Sequence, residues 1–568
     1  MYALAGIVSK NNDNVSQHLL SMMKEQSRNE KGYFGLAVED RNFNGKISDL
    51  NIKALEGSIG LGCIPLRMQH APIYKDCSGK LAVIYDGIIY DFKKKLTKDH
   101  NLLSTTDADI ITHLLEENYN GDLAFAAKNI LNNLEGGFAL AVTNNTDIIA
   151  ARDPIGFRTL YYGENDGFYA FASSKKALWR IRIPNVFRLP AGSMVHINRN
   201  LLDVSKIFLK ERFGVNISIK DPYTAIDRYQ ETLYVAVERM LEGLNKAAIL
   251  LSGGVDSCLL AKILMDKASK LDVDLVGYTV GLEGSFDLKF AEEFAKQIGL
   301  PVKEKTVTID DLDKALPKVI GAVEERDYVQ IETSLIPYIA LEMVAQDLTK
   351  VVFLGQGPDE LWGGYPWYPR LLKEWGYAKL HEVMWEDLIR GDAETLAREN
   401  KVARMFDIEV RYPYLDIDVI KTAMSVAPQL KVISDKDALG KRIHRALAKK
   451  LGVSESVAER KKTAAQHGSG IHQALRKLAN KHDFNDKLVA KLDYSPTEIS
   501  KEKLGSSSRY GYKYGDEDMW LIPSCIQLYF DYLAYREGLL NELERKKISA
   551  VLGDPNRFGE DVEPLLKR

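Results

Sequence analysis

The fold of this chain is decided by one stretch, Leu250-Leu251-Ser252-Gly253-Gly254-Val255-Asp256-Ser257. An apolar run of strand length precedes it, and residues 258–264 follow with apolar side chains at helical spacing. A buried strand that breaks at a Ser-Gly-Gly turn and continues as a helix points free backbone N–H groups at the helix N-terminus, which favours an anion. The stretch therefore predicts a phosphate-binding loop, although a plain strand-to-helix turn rich in Gly and Ser would have a similar composition.

The side chains of this loop indicate which kind of phosphate site it forms. No lysine precedes Ser257, so this is not the nucleotide loop that ends in Gly-Lys-Ser/Thr. Asp256 stands in that place, and an acid beside a polyphosphate indicates a bridging Mg2+ ion. We therefore expect the loop to bind a polyphosphate through the following residues: Leu251, Ser252, Gly253, Gly254, Asp256 and Ser257.

A second strand-to-glycine turn, residues 351–365, carries another group of acids. Its apolar run ends in Leu354 and Gly355, which we expect to contact the nucleotide, and Asp359 and Glu360 follow. Asp256 and Asp359 on separate loops suit a Mg2+ ion held between protein and pyrophosphate. Either acid alone would be typical of a turn or a helix cap.

The chain is expected to form two different kinds of domain. Residues 1–207 show short β-type runs separated by turn residues, which predict layered antiparallel sheets covered by helices, an α+β domain. Residues 208–245 form a linker and a leading helix. In residues 246–480 strands alternate with helices, which predicts an α/β domain with a doubly wound parallel sheet and its ligand at the carboxyl ends of the strands. Residues 481–568 are expected to be a mainly helical C-terminal extension.

The composition excludes several classes of function. The 568 residues carry a net charge of −3, with 45% hydrophobic and 27% charged side chains, as in ordinary globular proteins. Nothing favours general binding to nucleic acid or an anionic membrane, and no apolar run is long enough to span a bilayer. The N-terminus does not fit a signal peptide, and the four cysteines lie far apart without metal-ligand spacing, which predicts reduced thiols and a cytoplasmic protein.

Ser252-Gly253-Gly254-x-Asp256-Ser257 resembles the pyrophosphate loop of ATP pyrophosphatases, which split ATP between the α and β phosphates. Residues 408–416 and 459–470 are similar to signatures of the asparagine synthetase domain, whose family also includes β-lactam and carbapenam synthetases. The resemblance extends over roughly residues 4–475. It implies that Lys462 neutralises charge on the α-phosphate and that the backbone of Val280 contacts adenine.

Three acids or amides of the synthetase region are relevant to the substrate. Asparagine synthetases have Gly-Glu-Gly where this chain has Gln356, which cannot take a proton at neutral pH. Glu409 matches the glutamate that activates an amine in β-lactam-forming relatives and is our candidate base, although it would equally serve to hold Arg411. Glu332 falls where asparagine synthetases have an arginine, in an ungapped comparison that a shift of one residue would change. The negative charge of Glu332 would disfavour a dicarboxylate substrate and favour a basic one. Glu360 is a further candidate substrate contact.

Residues 5–8, 85–92, 106–110, 134–140 and 151–162 resemble the glutaminase domain of class II amidotransferases, an N-terminal nucleophile hydrolase fold. That family uses a terminal cysteine, an Asn-Gly-Glu segment and an arginine that holds the glutamine carboxylate. Here those places are occupied by other residues, and only Asp107 persists of the glutamine-binding set. The vestigial positions are Ala5, Pro65, Asp86, Gly87, Ile88 and Asp107. The alternative is a relocated nucleophile at Cys63 or Cys77.

The resemblance implies an ATP-dependent, AMP- and pyrophosphate-forming amide ligase without glutaminase activity. The resembled family makes aspartate the default carboxylate and ammonia or an amine the nitrogen donor. It also implies ATP and Mg2+ as cofactors. An amide or lactam ligase for another carboxylate and a non-catalytic nucleotide-binding scaffold are the alternatives, and a homodimer is left open. The tyrosine-rich stretch 505–515 would suit base stacking, but a loop packed on the synthetase domain is favoured because the chain has no basic bias.

Overall fold

The structure is a computed structural model. It describes residues 3–27, 33–65, 73–90, 96–102, 106–207, 213, 216–461, 471–495, 513–514, 517–518, 524–540 and 542–553. The chain divides into two compact units, Met1–Arg212 and Phe213–Arg568. Among the described residues, no helix combines the length and the apolar character that a membrane span requires.

The first unit contains two antiparallel sheets. One has the strand order β11-β9-β10-β1-β4-β2-β3 and the other the order β13-β12-β8-β7-β6-β5. The strands are β1 Ala3–Ser9, β2 Tyr33–Val38, β3 Arg41–Lys46, β4 Ile59–Ile64, β5 Tyr74–Lys75, β6 Ala82–Tyr90, β7 Glu135–Thr143, β8 Asp147–Arg152, β9 Tyr161–Glu164, β10 Phe168–Ala172, β11 Asn185–Arg188, β12 Ser193–Asn198 and β13 Leu201–Lys206.

Alternation along the strands creates four layers. Leu4 and Val8 of β1 join a core formed by both sheets, whereas Ala5 and Ile7 point to the opposite face, where helices cover the first sheet. The helices of this unit are α1 Ser16–Gln26, α2 Asp107–Asn118, α3 Leu123–Leu131 and α4 Lys175–Arg180. Helices α2 and α3 pack on the outer face of the second sheet. The predicted α+β layered class is confirmed.

The second unit is built on a parallel sheet of five strands. The strands are β14 Lys246–Leu250, β15 Asp274–Leu282, β16 Val302–Val307, β17 Val351–Phe353 and β18 Glu409–Arg411, in the order β16-β15-β14-β17-β18. Successive strands first extend the sheet to one side of β14 and then to the other. The strand order therefore reverses between β14 and β17, and a ligand crevice is expected at their carboxyl ends. The predicted doubly wound parallel sheet is confirmed.

Helices surround this sheet and form the C-terminal part of the chain. They are α5 Pro222–Leu241, α6 Val255–Leu271, α7 Phe286–Ile298, α8 Ile309–Val323, α9 Tyr328–Gln346, α10 Pro358–Trp362, α11 Tyr368–Gly391, α12 Ala397–Arg404, α13 Ile417–Ser425, α14 Arg442–Lys450, α15 Glu455–Ala458, α16 Ile471–Lys481, α17 Asp486–Lys491, α18 Ser524–Arg536 and α19 Glu542–Leu552. The strands β19 Lys513–Tyr514 and β20 Glu517–Asp518 pair as a small hairpin. Helix α5 begins where the sequence indicates, with Asp221 accepting from the Thr224 N–H and Pro222 in the first turn.

Candidate active site

The predicted phosphate loop leads directly from β14 into α6. Gly253 has φ +65°, and a Cβ there would lie 2.6 Å from Phe290 Cβ and 2.8 Å from the Ala291 backbone nitrogen, so the turn requires glycine. The Ser252 N–H donates to Ser257 Oγ at 3.1 Å, which fixes the turn against the first turn of α6. The loop thus aims the N-terminus of a 17-residue helix into the crevice.

The second glycine turn lies against the first. A Cβ on Gly355 would be 3.3 Å from the carbonyl carbon of Asp256 and from the Ser257 nitrogen, so the two loops nearly touch. Leu251, Val280 and Leu354 line the same cleft with apolar side chains, as a nucleotide base requires. The structure therefore brings together most of the residues that the sequence assigned to ATP.

Asp256 and Asp359 converge on one buried cation, Lys441. Lys441 Nζ is 2.6 Å from Asp256 Oδ2 and 2.7 Å from Asp359 Oδ1, and the lysine side chain is 1% exposed. The two carboxylates therefore point at a common position. A pair of acids that shares one cation in this way fits the Mg2+ expected from the sequence.

The backbone leaves room for the Lys441 side chain at Gly364, where a Cβ would lie 2.0 Å from Lys441 Cε. Gly440 allows a close backbone approach next to Lys441, because a Cβ there would lie 2.0 Å from the Gly363 carbonyl oxygen. Lys441 itself has φ +52°, a left-handed conformation that an L-residue with a long side chain rarely adopts. Such strain concentrates at functional sites.

A buried aromatic group holds Asp256 from the other side. His444 Nε2 is 3.1 Å from Asp256 Oδ1, and its Nδ1 is 2.8 Å from the hydroxyl of Tyr229. Burial lowers the pKa of His444, so the imidazole stays neutral and orients the carboxylate without adding charge. The Tyr414 hydroxyl donates to the Asp256 carbonyl oxygen at 2.8 Å.

Further cations line the cleft. Arg460 donates to the Gly253 carbonyl oxygen at 3.2 Å and pairs with Asp287 at 2.9 Å, and Arg445 donates to the Ala458 carbonyl oxygen at 2.6 Å. Lys461 lies beside them and is exposed. With Lys441 these side chains make the cleft suitable for a polyphosphate.

Gln356 is held by a buried acid that the sequence did not single out. Its Nε2 donates to Glu399 Oε1 at 2.6 Å, and both side chains line the cleft. Burial raises the pKa of Glu399 to about 7, while Arg398 and the hydrogen bond from Gln356 oppose the rise. The cleft thus contains a carboxyl group that takes up and releases a proton near neutral pH, directly beside the amide that the sequence placed there.

Three candidate residues are not among the side chains that line the cleft, and their roles stay predictions. Glu409 is at the start of β18, level with Val351, and its Oε1 accepts from Arg411 Nε at 2.6 Å, so the alternative role of holding Arg411 fits the geometry. Glu332 is buried and accepts from the Tyr328 hydroxyl at 3.0 Å, one helical turn before the cleft-lining Ile336. Glu360 accepts from the Tyr365 hydroxyl at 2.5 Å and is not among the residues that line the cleft. Lys462 lies outside the described residues.

The vestigial glutamine positions occupy strands of the first unit. Ala5 is fully buried in β1, opposite Gly62, and Pro65 is half-buried just after β4. Asp86 Oδ1 lies 3.5 Å from Arg158 Nε, so its charge is paired. Gly87 has φ +148°, and a Cβ there would lie 2.2 Å from the Gly137 carbonyl oxygen, while the next residue, Ile88, pairs with Gly137.

Asp107 remains close to this strand. Its Oδ2 accepts from the Ile89 N–H at 3.0 Å, at the start of α2. Of the two alternative nucleophiles, Cys63 is fully buried in β4 and Cys77 is exposed. A fully buried thiol has no access to a substrate, so Cys63 does not fit that role.

Some cations near the cleft that the sequence analysis did not assign could have been recognised from their place in the sequence. Lys441, Arg442 and Arg445 place positive charge at the N-terminus of α14, where the helix dipole disfavours cations. Cations in such a place indicate an anion or an acid cluster nearby. No comparable signal marks Glu399, because it lies within an ordinary charged helical pattern.

Comparisons with known proteins identify the two units. A family model described as "Asparagine synthase" matches residues 228–380 and 373–531, and one described as "Glutamine amidotransferase domain" matches residues 60–180. A putative asparagine synthetase [glutamine-hydrolyzing] of Methanocaldococcus jannaschii is 27% identical over 86% of this chain and 97% of its own length. Asparagine synthetase [glutamine-hydrolyzing] 3 of Arabidopsis thaliana is 29% identical over 64% of this chain and 62% of its own length.

Among solved structures, a glutamine phosphoribosylpyrophosphate amidotransferase from B. subtilis matches 53% of this chain and 65% of its own. The identity is 15% and the TM-score 0.33, too slight to inform the function. The parallel sheet with its phosphate loop, joined to an amidotransferase-type unit, defines an ATP-dependent ligase. The family model covers more than half of the chain, and the chain belongs to the asparagine synthase family.

Proposed function

We propose that this protein activates a carboxylate as its acyl-adenylate with Mg-ATP and couples it to ammonia or an amine. The observation that carries the proposal is the meeting of Asp256 and Asp359, from separate loops, beside a helix N-terminus that can bind phosphate. Aspartate is the default carboxylate, because two relatives of this chain are called asparagine synthetases.

The proposed reaction has two steps. A carboxylate oxygen of the substrate attacks the α-phosphorus of ATP, and the bond to the β-phosphate breaks to release pyrophosphate. The nitrogen nucleophile then attacks the acyl carbon, AMP leaves, and a proton is lost from the nitrogen. The helix α6 N-terminus and the cations Lys441, Arg445 and Arg460 would stabilise the charge on the leaving pyrophosphate.

Asp256 and Asp359 would hold the Mg2+ ion, which would supply a positive charge to the phosphate oxygens. The fit rests on the convergence of both carboxylates within 2.7 Å of a single cationic atom, Lys441 Nζ. Lys462 is kept as a proposed contact to the α-phosphate on the resemblance alone.

We propose Glu399 as the group that accepts the proton from the attacking nitrogen. Its pKa of about 7 suits a general base at neutral pH, and Gln356 fixes the orientation of its carboxyl group. The second candidate function, an amide or lactam ligase for a different carboxylate, is compatible with the same base, because Glu399 lies beside Gln356 whichever carboxylate is activated.

The first unit is proposed to lack glutaminase activity. Ala5 offers no nucleophile, and the acidic Asp86 next to an expected oxyanion position would oppose the developing negative charge even when paired with Arg158. The ammonia or amine would then come from solution or from another protein. A homodimer remains a proposal of the family resemblance, and a cytoplasmic location remains a prediction from composition.

Pyrophosphate release tests the proposal. Purified protein with Mg-ATP is assayed against aspartate, glutamate and basic amino acids, with ammonia present or absent, and against glutamine for glutamate release. We expect pyrophosphate only with a carboxylate present, and its loss in Asp256→Asn. Absence of pyrophosphate with every carboxylate would favour the scaffold, and glutamate release from glutamine would refute the loss of glutaminase activity.

A further inference from the structure

Four side chains of the first unit converge at a place that the proposed reaction does not use. Cys77 Sγ is 3.5 Å from His100 Nδ1 and 3.7 Å from His113 Nδ1. Glu116 Oε2 is 3.3 Å from His100 Nδ1 and 2.9 Å from His113 Nδ1. All four atoms lie within 4.8 Å of one another. One sulfur, two imidazole nitrogens and one carboxylate oxygen therefore surround a single point.

These separations match the edges of a metal tetrahedron. With Zn–S of about 2.3 Å and Zn–N or Zn–O of about 2.0–2.1 Å, tetrahedral angles give S···N edges of about 3.5 Å and N···O edges of about 3.3 Å. The Cys77 and His100 edges agree within about 0.1 Å, and those of His113 within about 0.4 Å. One cysteine, two histidines and one glutamate form a set of ligands that Zn2+ accepts readily.

One imidazole is held by a carboxylate on its far side. His100 Nε2 is 3.0 Å from Glu117 Oε1, a hydrogen-bond distance, whereas His113 Nε2 lies 3.5 Å from the fully buried Asp109 Oδ1 without a hydrogen bond between them. A carboxylate at Nε2 of His100 keeps the proton on that nitrogen and turns the Nδ1 lone pair to the centre, the arrangement seen behind most metal-binding histidines. Glu117 is itself fixed by the N–H groups of Thr97 and Lys98 at 2.9 and 2.8 Å.

The four proposed ligands lie on three separate segments of the chain. Cys77 lies on the turn between β5 and β6, which Asp76 fixes by accepting from the Leu81 N–H at 2.8 Å. His100 belongs to the segment before α2, and His113 and Glu116 lie one turn apart on α2. A bound ion would tie the turn and the segment to the helix.

We propose that Cys77, His100, His113 and Glu116 bind one divalent zinc-type ion. The Cys77 thiolate and the Glu116 carboxylate balance its two positive charges, and two neutral imidazoles complete the set. The chemistry is that of a structural site, because four protein ligands leave no open position at the ion. The competing accounts are an ion-pair cluster of protonated histidines with Glu116, Glu117 and Asp109, and a hydrolytic Cys77–His100 pair.

Metal content of the full chain tests the proposal. The protein is stripped with a chelator, loaded with Zn2+, passed through gel filtration and measured by mass spectrometry for metals. We expect about one Zn2+ per chain in the wild type, and loss of it in Cys77→Ser and in His100→Gln. His196→Gln is the matched control, since His196 pairs with Asp147 in the same unit and lies outside the cluster.

Loading with Co2+ adds a readout that identifies the ligand. A thiolate-to-cobalt charge-transfer band and intense visible bands of tetrahedral Co2+ are expected in the wild type and in His196→Gln, and the charge-transfer band is expected to vanish in Cys77→Ser. Cys77 is exposed, so its replacement by serine is expected to leave the fold intact, which circular dichroism checks.

Three results would overturn the proposal. One is a wild type that retains no Zn2+, as the ion-pair cluster predicts, and another is Zn2+ retained unchanged in Cys77→Ser. The third is glutamate release from glutamine by zinc-loaded protein that Cys77→Ser abolishes, as the hydrolytic pair predicts.

Discussion

Replacement of Lys441 by methionine would remove the cation between Asp256 and Asp359 and leave the repulsion between the two carboxylates uncompensated. The Asp256 and Asp359 oxygens lie 2.6 and 2.7 Å from Lys441 Nζ, so they are about 5.3 Å apart at most. At an effective dielectric constant of about 20, two unit charges at that distance repel by about 3 kcal/mol. Loss of one partner from a buried charge cluster typically costs about 3–5 kcal/mol, in agreement with this value.

Urea unfolding of Lys441→Met with and without Mg2+ measures this effect. We expect the free energy of unfolding to fall by about 3 kcal/mol without Mg2+, and a saturating divalent cation to restore much of it. An ion present at 100 times its dissociation constant contributes about 2.7 kcal/mol. Lys461→Met is the matched control, because Lys461 lines the same cleft but is exposed.

Two results would refute this reasoning. One is a Lys441→Met variant as stable as Lys461→Met. The other is a loss of stability that Mg2+ leaves unchanged, since carboxylates that converge on one point must gain from a cation placed there.

The remaining predictions concern the base, the loop and the metal acids. Glu399→Gln should lower the rate of amide formation by about 100-fold and remove a pH-rate limb near 7, measured as AMP and amide formation against pH. Because burial raises the folded pKa of Glu399 from 4.5 to about 7, stability is lost as pH rises through that window, and Glu399→Gln should be up to about 3 kcal/mol more stable at pH 8 in urea unfolding. Gly253→Ala should abolish ATP binding in calorimetry, because its Cβ would meet Phe290 and the Ala291 backbone. Asp359→Asn should raise the Mg2+ concentration needed for half-maximal turnover, whereas Asp418→Asn, an exposed acid on α13, should not.

The sequence predicted the parallel sheet because β14, β15 and β17 are apolar runs and Gly follows β14 and β17, whereas β16 is largely charged. It missed β18 as a strand, since Glu409–Arg411 is only three residues long and two of them are charged. It located Asp256 and Asp359 because both follow glycine turns at strand ends. It did not place Lys441 between them, because that contact joins residues far apart along the chain and depends on space left by Gly364.

Contacts between residues far apart along the chain also explain why the sequence did not predict the positions of the candidate bases and of the proposed metal ligands. Glu409 matched a family position, yet the direction of its side chain toward Arg411 is decided by the register of β18 on β17. Cys77 and His100 show no metal-ligand spacing along the chain and meet only when the β5–β6 turn packs against α2. Sequence patterns identify groups on one element or at one strand end, and they fail where three elements must converge.

Each unit has a residue that differs from the one in the resembled family, and the two differences preserve different properties of the site. In the second unit Gln356 replaces the family glutamate, but a buried carboxyl group, Glu399, remains 2.6 Å away in the cleft. In the first unit the family resemblance places Ala5 at the position of the nucleophile, inside a fully buried strand, where its methyl group fills the core and supplies no nucleophilic atom. A substitution that keeps a proton acceptor in place is compatible with catalysis, whereas one that keeps only the packing supports a structural unit. A zinc-type ion on Cys77 would stabilise the first unit in that structural role, because it would join α2 to the sheet independently of any glutamine chemistry.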